Sequence, residues 1–272
     1  FVVAKSVDVV RQDEISNAVK IMRVLSHPNV VEFNNWFQAD NRIYLVLEYC
    51  PGGCLADLLE RDVRIPESVI RIFGADIVAG LLYLHKNSVY FCNFDARNFF
   101  LDENGIVKLG DFARSVAADD RANLSEIDIE YLEVLAPEII DEGVNPNIQT
   151  DLYALGCLLY RMASGSTPFA SEEQNELTYK IRNTKVSPLP FCSQEMNDLI
   201  SKLVQHDPTK RLTWRQLIGH PFWRDVFMVR EDFEDFSEVP EFKPPPIPQL
   251  DSTIGSSARS SMSAFNEEEE LG

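Results

Sequence analysis

The chain changes its period at Pro51-Gly52-Gly53, and that break constrains the fold more than any other feature. Before it, short β-branched and aromatic runs dominate. Residues 1–7 read as a strand, and Val30 to Gln38 and Arg42 to Tyr49 read as two more around the polar turn Ala39-Asp40-Asn41. One amphipathic helix intervenes over 12–25, where Ile15, Val19, Met22 and Leu25 recur near helical spacing. It must stop before His27-Pro28, because proline drives the preceding residue out of the helical region. After the break, helical patterns fill Leu55–Arg61, Glu67–Asn87, Thr150–Ser164, part of Ser171–Asn183, Gln194–Gln205 and Trp214–Ile218. Among them a strand pair, Phe99–Asp102 and Val107–Leu109, turns at Asn104-Gly105. A small β-rich unit therefore precedes a larger helical one, which is an α+β organisation.

Charge narrows the function. The chain has 43 acidic and 25 basic residues, a formal charge of −18, and such a field repels a phosphate backbone. That field disfavours a general nucleic-acid binder. Residues 224–272 hold 12 acidic against 4 basic residues, with Pro244-Pro245-Pro246, a serine-rich stretch from Ser252 to Ser263, and Glu267 to Glu270. That composition predicts an acidic Pro/Ser-rich disordered tail. Cys50, Cys54, Cys92, Cys157 and Cys192 form no CxxC pair, and the four histidines are scattered, so reduced thiols in a cytosolic protein are expected and a metal cluster is not. Apolar runs such as Ile43 to Leu47 fall far short of the roughly 20 residues that cross a bilayer, so no membrane span is expected. The chain opens at Phe1 inside a strand with no initiator Met, and is expected to be a fragment or the product of a truncated gene.

Chemistry-bearing motifs follow in one order. Val3-Ala4-Lys5 ends a strand, and Leu47-Glu48-Tyr49-Cys50-Pro51-Gly52-Gly53 ends another. Then come Phe91-Cys92-Asn93-Phe94-Asp95-Ala96-Arg97-Asn98, Asp111-Phe112-Ala113, Ala136-Pro137-Glu138, Asp151 on a helix, and Arg211 after Asp207-Pro208-Thr209-Lys210. This order and spacing resemble a eukaryotic protein kinase over residues 1–223. The fold implied is bilobal, with 1–50 a partial N-lobe lacking its first two strands and 51–223 a mostly helical C-lobe. The closer resemblance is to the Unc-51-like and Fused group, and within it to the divergent, pseudokinase-type fourth Unc-51-like kinases. Phe91-Cys92, the stretch GCLLYRMASGSTPF beginning at Gly156, and Lys210 to Trp214 with His220 to Trp223 carry that match.

The resemblance implies ATP as ligand, with Lys5 on its α- and β-phosphates and Asn98 and Asp111 at two metal positions that suit Mg²⁺. It also implies an adenine slot. Val3 would cover one ring face, Leu55 and Phe100 the other, and Leu47 the rear. The backbone of Glu48 and Cys50 would meet the base edge, and Cys54 would stand at the ribose.

Departures from the family pattern point away from catalysis. The acid that pairs with the strand lysine is replaced by Ala18; Glu14, one turn earlier, is displaced by about 6 Å. The base position holds Asn93, and an amide accepts no proton near neutral pH; losing a general base costs about 10²–10⁴ in rate. Asp95 stands where a lysine is usual, leaving it, with Arg97, as a displaced substitute base and cation. Cys92 replaces the arginine that receives an activation-loop phosphate, Glu130 and Tyr131 replace the usual Gly-Thr, and Ala113 replaces a flexible glycine. Fold-maintaining positions are intact: Glu138 with Arg211 as an ion pair, Asp151 as a loop brace, and Met22, Phe33, Phe91 and Phe112 as an apolar column. The expectation is a pseudokinase that binds ATP and protein partners, the resemblance pointing to an active Fused-type kinase or microtubule-associated proteins in cytoplasm, cytoskeleton or cilium. The alternative is a weakly active serine/threonine kinase.

Overall fold

The computed structural model describes residues 1–8, 12–118, 120, 129–224 and 226, without the side chains of residues 12–14, 130 and 142. The expected acidic tail and the reach of the Glu14 side chain lie outside the described residues. Strands β1 (Val2–Asp8), β2 (Phe33–Ala39) and β3 (Arg42–Glu48) form one antiparallel sheet in the order β1-β3-β2, with Lys5 opposite Leu45. Along β3, Ile43, Leu45 and Leu47 alternate into the core, as a half-buried strand requires. Asp40 and Asn41 turn the β2–β3 hairpin at φ 47° and 62°; two successive left-handed residues match the strand twist, and Asp and Asn tolerate that backbone. Helix α1 (Gln12–Met22) lays Ile15, Ala18, Val19 and Met22 into the same core. It is three residues shorter than its periodicity suggests, because 23–25 tighten into turns before His27-Pro28.

The larger unit contains α2 (Leu55–Asp62), α3 (Glu67–Lys86), the short strands β4 (Val89–Tyr90), β5 (Phe99–Leu101), β6 (Val107–Leu109) and β7 (Val116–Ala117), then α4 (Ile129–Leu132), α5 (Pro137–Glu142), α6 (Ile148–Ser164), α7 (Gln174–Asn183), α8 (Gln194–Leu203) and α9 (Trp214–Ile218). Strands β5 and β6 pair as the Asn104-Gly105 turn predicts. α6 starts two residues early because Asn147 caps it: its Oδ1 accepts from the amides of Gln149 (2.8 Å) and Thr150 (3.3 Å), and Thr150 Oγ1 accepts from Asn147 N. α3 is long and apolar enough, by length and composition, to cross a bilayer, which a count of contiguous apolar residues missed. Half of it is buried inside the protein, where it serves as a core helix. A Cβ on its Gly74 would meet the Trp223 ring at 2.8 Å, and one on Gly80 would meet the Asn29 carbonyl at 2.8 Å.

That second approach joins the two units. Leu109 N donates to Asn29 O (2.9 Å), Val31 N donates to Leu109 O (2.9 Å), and Asn29 Nδ2 donates to Val107 O (3.0 Å). The loop beneath the sheet thus meets β6 through an isolated parallel bridge, Val30 to Leu109, which ties the β-rich unit to the strand leading into Asp111.

Deep in the helical unit, Arg211 grips Glu138 with two parallel bonds of 2.6 and 2.8 Å and donates to the carbonyls of Gln205 and Gln149. Its guanidinium also lies 4.9 Å from the centre of the Tyr153 ring. The Arg211 side chain is fully buried, so the pair persists only because every donor is satisfied. Arg211→Ala strands a buried carboxylate. We expect it to lower unfolding free energy by about 3–5 kcal/mol in a denaturant titration, whereas a loss under ~1 kcal/mol would mean that Glu138 is solvated.

Candidate functional site

A cavity of about 500 Å³ opens between β1, α1 and the two loops that follow β4 and β6. One buried carboxylate behind the cavity holds the first of these loops. Asp151, on α6, accepts from the amides of Phe91 (2.7 Å) and Cys92 (3.0 Å) and from His85 Nε2 (2.9 Å). Trp214 Nε1 donates to His85 Nδ1 (3.2 Å), which places the imidazole proton on Nε2, facing Asp151. Cys92 is left-handed (φ 57°), and this turns two successive amides toward one acceptor. The Phe91 ring meets Phe94, Phe99 and Phe112 edge to face at 5.4–5.6 Å, so loop and Asp111 segment share one aromatic cluster. Of the expected apolar column, Met22, Phe91 and Phe112 are buried and Phe33 is partly buried against the same core.

Within the cavity the charges pair with one another. Lys5 Nζ lies 2.7 Å from Asp111 Oδ2. Ala18, almost fully buried, lines the wall where an acid would have competed for that ammonium. Asn93 Nδ2 donates to the Asp111 carbonyl at 2.7 Å, and Asn98 Nδ2 donates to the Asn93 carbonyl at 3.3 Å. The base position is therefore a hydrogen-bond donor aimed at backbone. Asp95 accepts from Arg97 N (2.8 Å) and Arg97 Nε (3.0 Å). Burial pushes the Asp95 carboxyl up, but the hydrogen bonds and charge of Arg97, with the charge of Arg161, outweigh it and hold the group below the usual carboxylate range. A carboxylate so stabilised is a poor proton acceptor. The two displaced candidates, Asp95 and Arg97, neutralise each other.

The cavity gathers Lys5, Leu47, Asn93, Asp95, Asn98 and Asp111. Val3, Glu48, Cys50, Cys54, Leu55 and Phe100 stand outside it. Leu55 needs correction: as the first residue of α2 it faces inward, has no exposed surface, and offers no face to an adenine ring. Phe100 covers Gly110, where a Cβ would be 2.7 Å from the ring, and Cys54 bridges to Phe100 through the backbone. The Glu48 amide is engaged by the Glu32 carbonyl (2.9 Å), and its side chain by Lys108 Nζ (2.8 Å). Burial, then the charge of Glu48, pushes the Cys50 thiol up to about 11, so it is a thiol at neutral pH. Arg114 and Val134 also line the cavity, with the Arg114 guanidinium 4.1 Å above the Tyr131 ring. Neither stood out in the sequence, because only the path of the chain after Asp111 brings them there. No group of three or more potential metal ligands occurs among the described residues.

Comparison with known proteins agrees with this geometry. Residues 1–223 match the protein kinase domain family. Serine/threonine-protein kinase RUNKEL of Arabidopsis thaliana is 34% identical over 270 residues, covering 98% of this chain and 19% of that protein. Serine/threonine-protein kinase ULK4 of Mus musculus is 32% identical over 256 residues, covering 83% and 20%. Serine/threonine-protein kinase Nek5 of the same animal is 32% identical over 225 residues, covering 81% and 36%. The chain thus spans about a fifth of the first two relatives.

Asn93→Asp tests the donor role. It replaces an N–H by an acceptor 2.7 Å from a carbonyl, and we expect the thermal melt of the ligand-free chain to report a loss of about 1–3 kcal/mol. An unchanged melt would mean that the Asn93 amide does not hold the Asp111 backbone.

Proposed function

The chain belongs to the protein kinase domain family, and from that premise we propose that it is a pseudokinase module that holds ATP and works by binding other proteins. The observation that carries this reading is the Asn93 amide donating to the Asp111 carbonyl. Phosphoryl transfer needs a group that orients and deprotonates the attacking hydroxyl, and here that position offers an N–H. The other carboxylate of the loop, Asp95, is engaged by Arg97.

Nucleotide binding is supported by the donor set. Lys5 is a partly exposed cation at the cavity wall, and ATP phosphates would compete with Asp111 for it. That exchange would free the Asp111 carboxylate, and Asn98 would present its Oδ1, as oxygen ligands for Mg²⁺. The metal, when bound, would neutralise phosphate charge. Because Lys5 already balances Asp111, the protein itself needs no metal to keep that carboxylate in place.

Similarity to ULK4 and the GCLLYRMASGSTPF stretch support placing the chain with the divergent Unc-51-like and Fused group. On that reading its partners are an active Fused-type kinase or microtubule-associated proteins, and its setting is cytoplasm, cytoskeleton or cilium. The competing reading, a slow serine/threonine kinase, draws on the presence of Asp95 in the cavity wall.

Binding and turnover separate the two. With the full-length protein we expect a fluorescent ATP analogue to bind saturably, and Lys5→Met to weaken it by about tenfold, as loss of one charge-assisted contact implies. Transfer of radiolabelled phosphate to a serine/threonine peptide library should not exceed the Asp111→Ala background. Transfer that vanishes in Asp95→Asn would overturn the proposal in favour of the slow enzyme.

A further inference from the structure

Ala18 removes the acid that would have tied α1 to Lys5, yet α1 is well seated, with Ile15, Val19, Ile21 and Met22 all buried. The tie lies one residue away. Asn17 Nδ2 donates to the Ser115 carbonyl at 2.9 Å, across 98 residues of sequence. Ser115 is itself buried, and its Oγ donates to the Phe91 carbonyl at 2.8 Å. The Phe91 amide in turn is held by Asp151. A continuous run of hydrogen bonds therefore leads from α1 to α6 and touches neither Lys5 nor Asp111. Nearer the rim, the Lys20–Asp120 ion pair (3.1 Å) joins α1 to the same downstream segment.

We propose that Asn17 is the positioning residue of this site: through Ser115 it fastens α1 to the Asp151-held loop, so the place of the helix does not depend on how Lys5 is engaged. The physical contrast is between two kinds of tether. An ion pair through Lys5 would make the seat of α1 conditional on the state of a partly exposed ammonium that a phosphate can capture. A neutral amide bonded to a buried carbonyl is indifferent to charge and salt, and costs most when it is left unmade. The inference goes beyond the nucleotide reading and stands whether or not ATP binds.

Hydrogen–deuterium exchange of the full-length protein, with no ligand added, tests it. Asn17→Ala should speed exchange over residues 15–22 by about tenfold, as local opening without one partly buried hydrogen bond predicts. Ser115→Ala should do the same, although its hydroxyl bonds to Phe91 and not to α1. Lys5→Met should leave α1 exchange unchanged. The proposal is overturned if Asn17→Ala leaves α1 protection intact, if Lys5→Met loosens α1 as much, or if exchange rises equally in α6 and α8, which would be general unfolding.

Discussion

The Asp151 carboxylate is the point on which the rest of the site depends. It takes donors from Phe91, Cys92 and His85 with almost no solvent present, and the indole of Trp214 fixes the His85 tautomer from behind. A buried anion is tolerable only when it is surrounded in this way. What it secures is the turn of the loop at Cys92, and that turn aims Asn93 at Asp111 and seats the Phe91 ring among Phe94, Phe99 and Phe112. The same interaction would serve an active enzyme equally well. Its persistence beside an altered base position separates the requirements of shape from those of reaction.

Three exchanges alter the chemistry together. Ala18 leaves Lys5 to find Asp111, Asn93 turns an acceptor into a donor, and Asp95 with Arg97 forms a closed pair where a free cation would have met the transferring group. Each leaves a polar contact satisfied, so none carries the penalty of an orphaned charge. Among the described residues, the two carboxylates that line the cavity, Asp95 and Asp111, are each paired with a cation.

The architecture was readable wherever a local rule applies. The period change at Pro51, the Asp40-Asn41 hairpin and the Asn104-Gly105 turn each have a backbone cause that sequence carries. Lys5, Asn93, Asn98 and Asp111 meet in one cavity because their spacing is fixed by the strands and loops that bear them. Leu55 was misplaced because spacing says nothing of which way the first turn of α2 faces. The four-residue α4 and six-residue α5 are too short for a helical period to show. Asn17 gave no signal, since a single amide in a helix is unremarkable until the segment holding Ser115 folds back upon it. The Lys5–Asp111 pair was half visible: Ala18 implied a lysine without its usual acid, but only the fold supplies the replacement.

Glu48 ends the last strand of the upper unit, and Lys108 stands three residues before Asp111 in the lower one. Their ion pair is largely screened from water, and the Glu48 carboxylate also accepts from the Glu32 amide. The connection between the two halves is thus stapled rather than free to pivot. A scissoring motion would have to pull an ammonium from a carboxylate where little solvent is at hand to take its place, and attraction in such surroundings is stronger than at an open surface. Relative movement of the two halves should accordingly leave this contact closed.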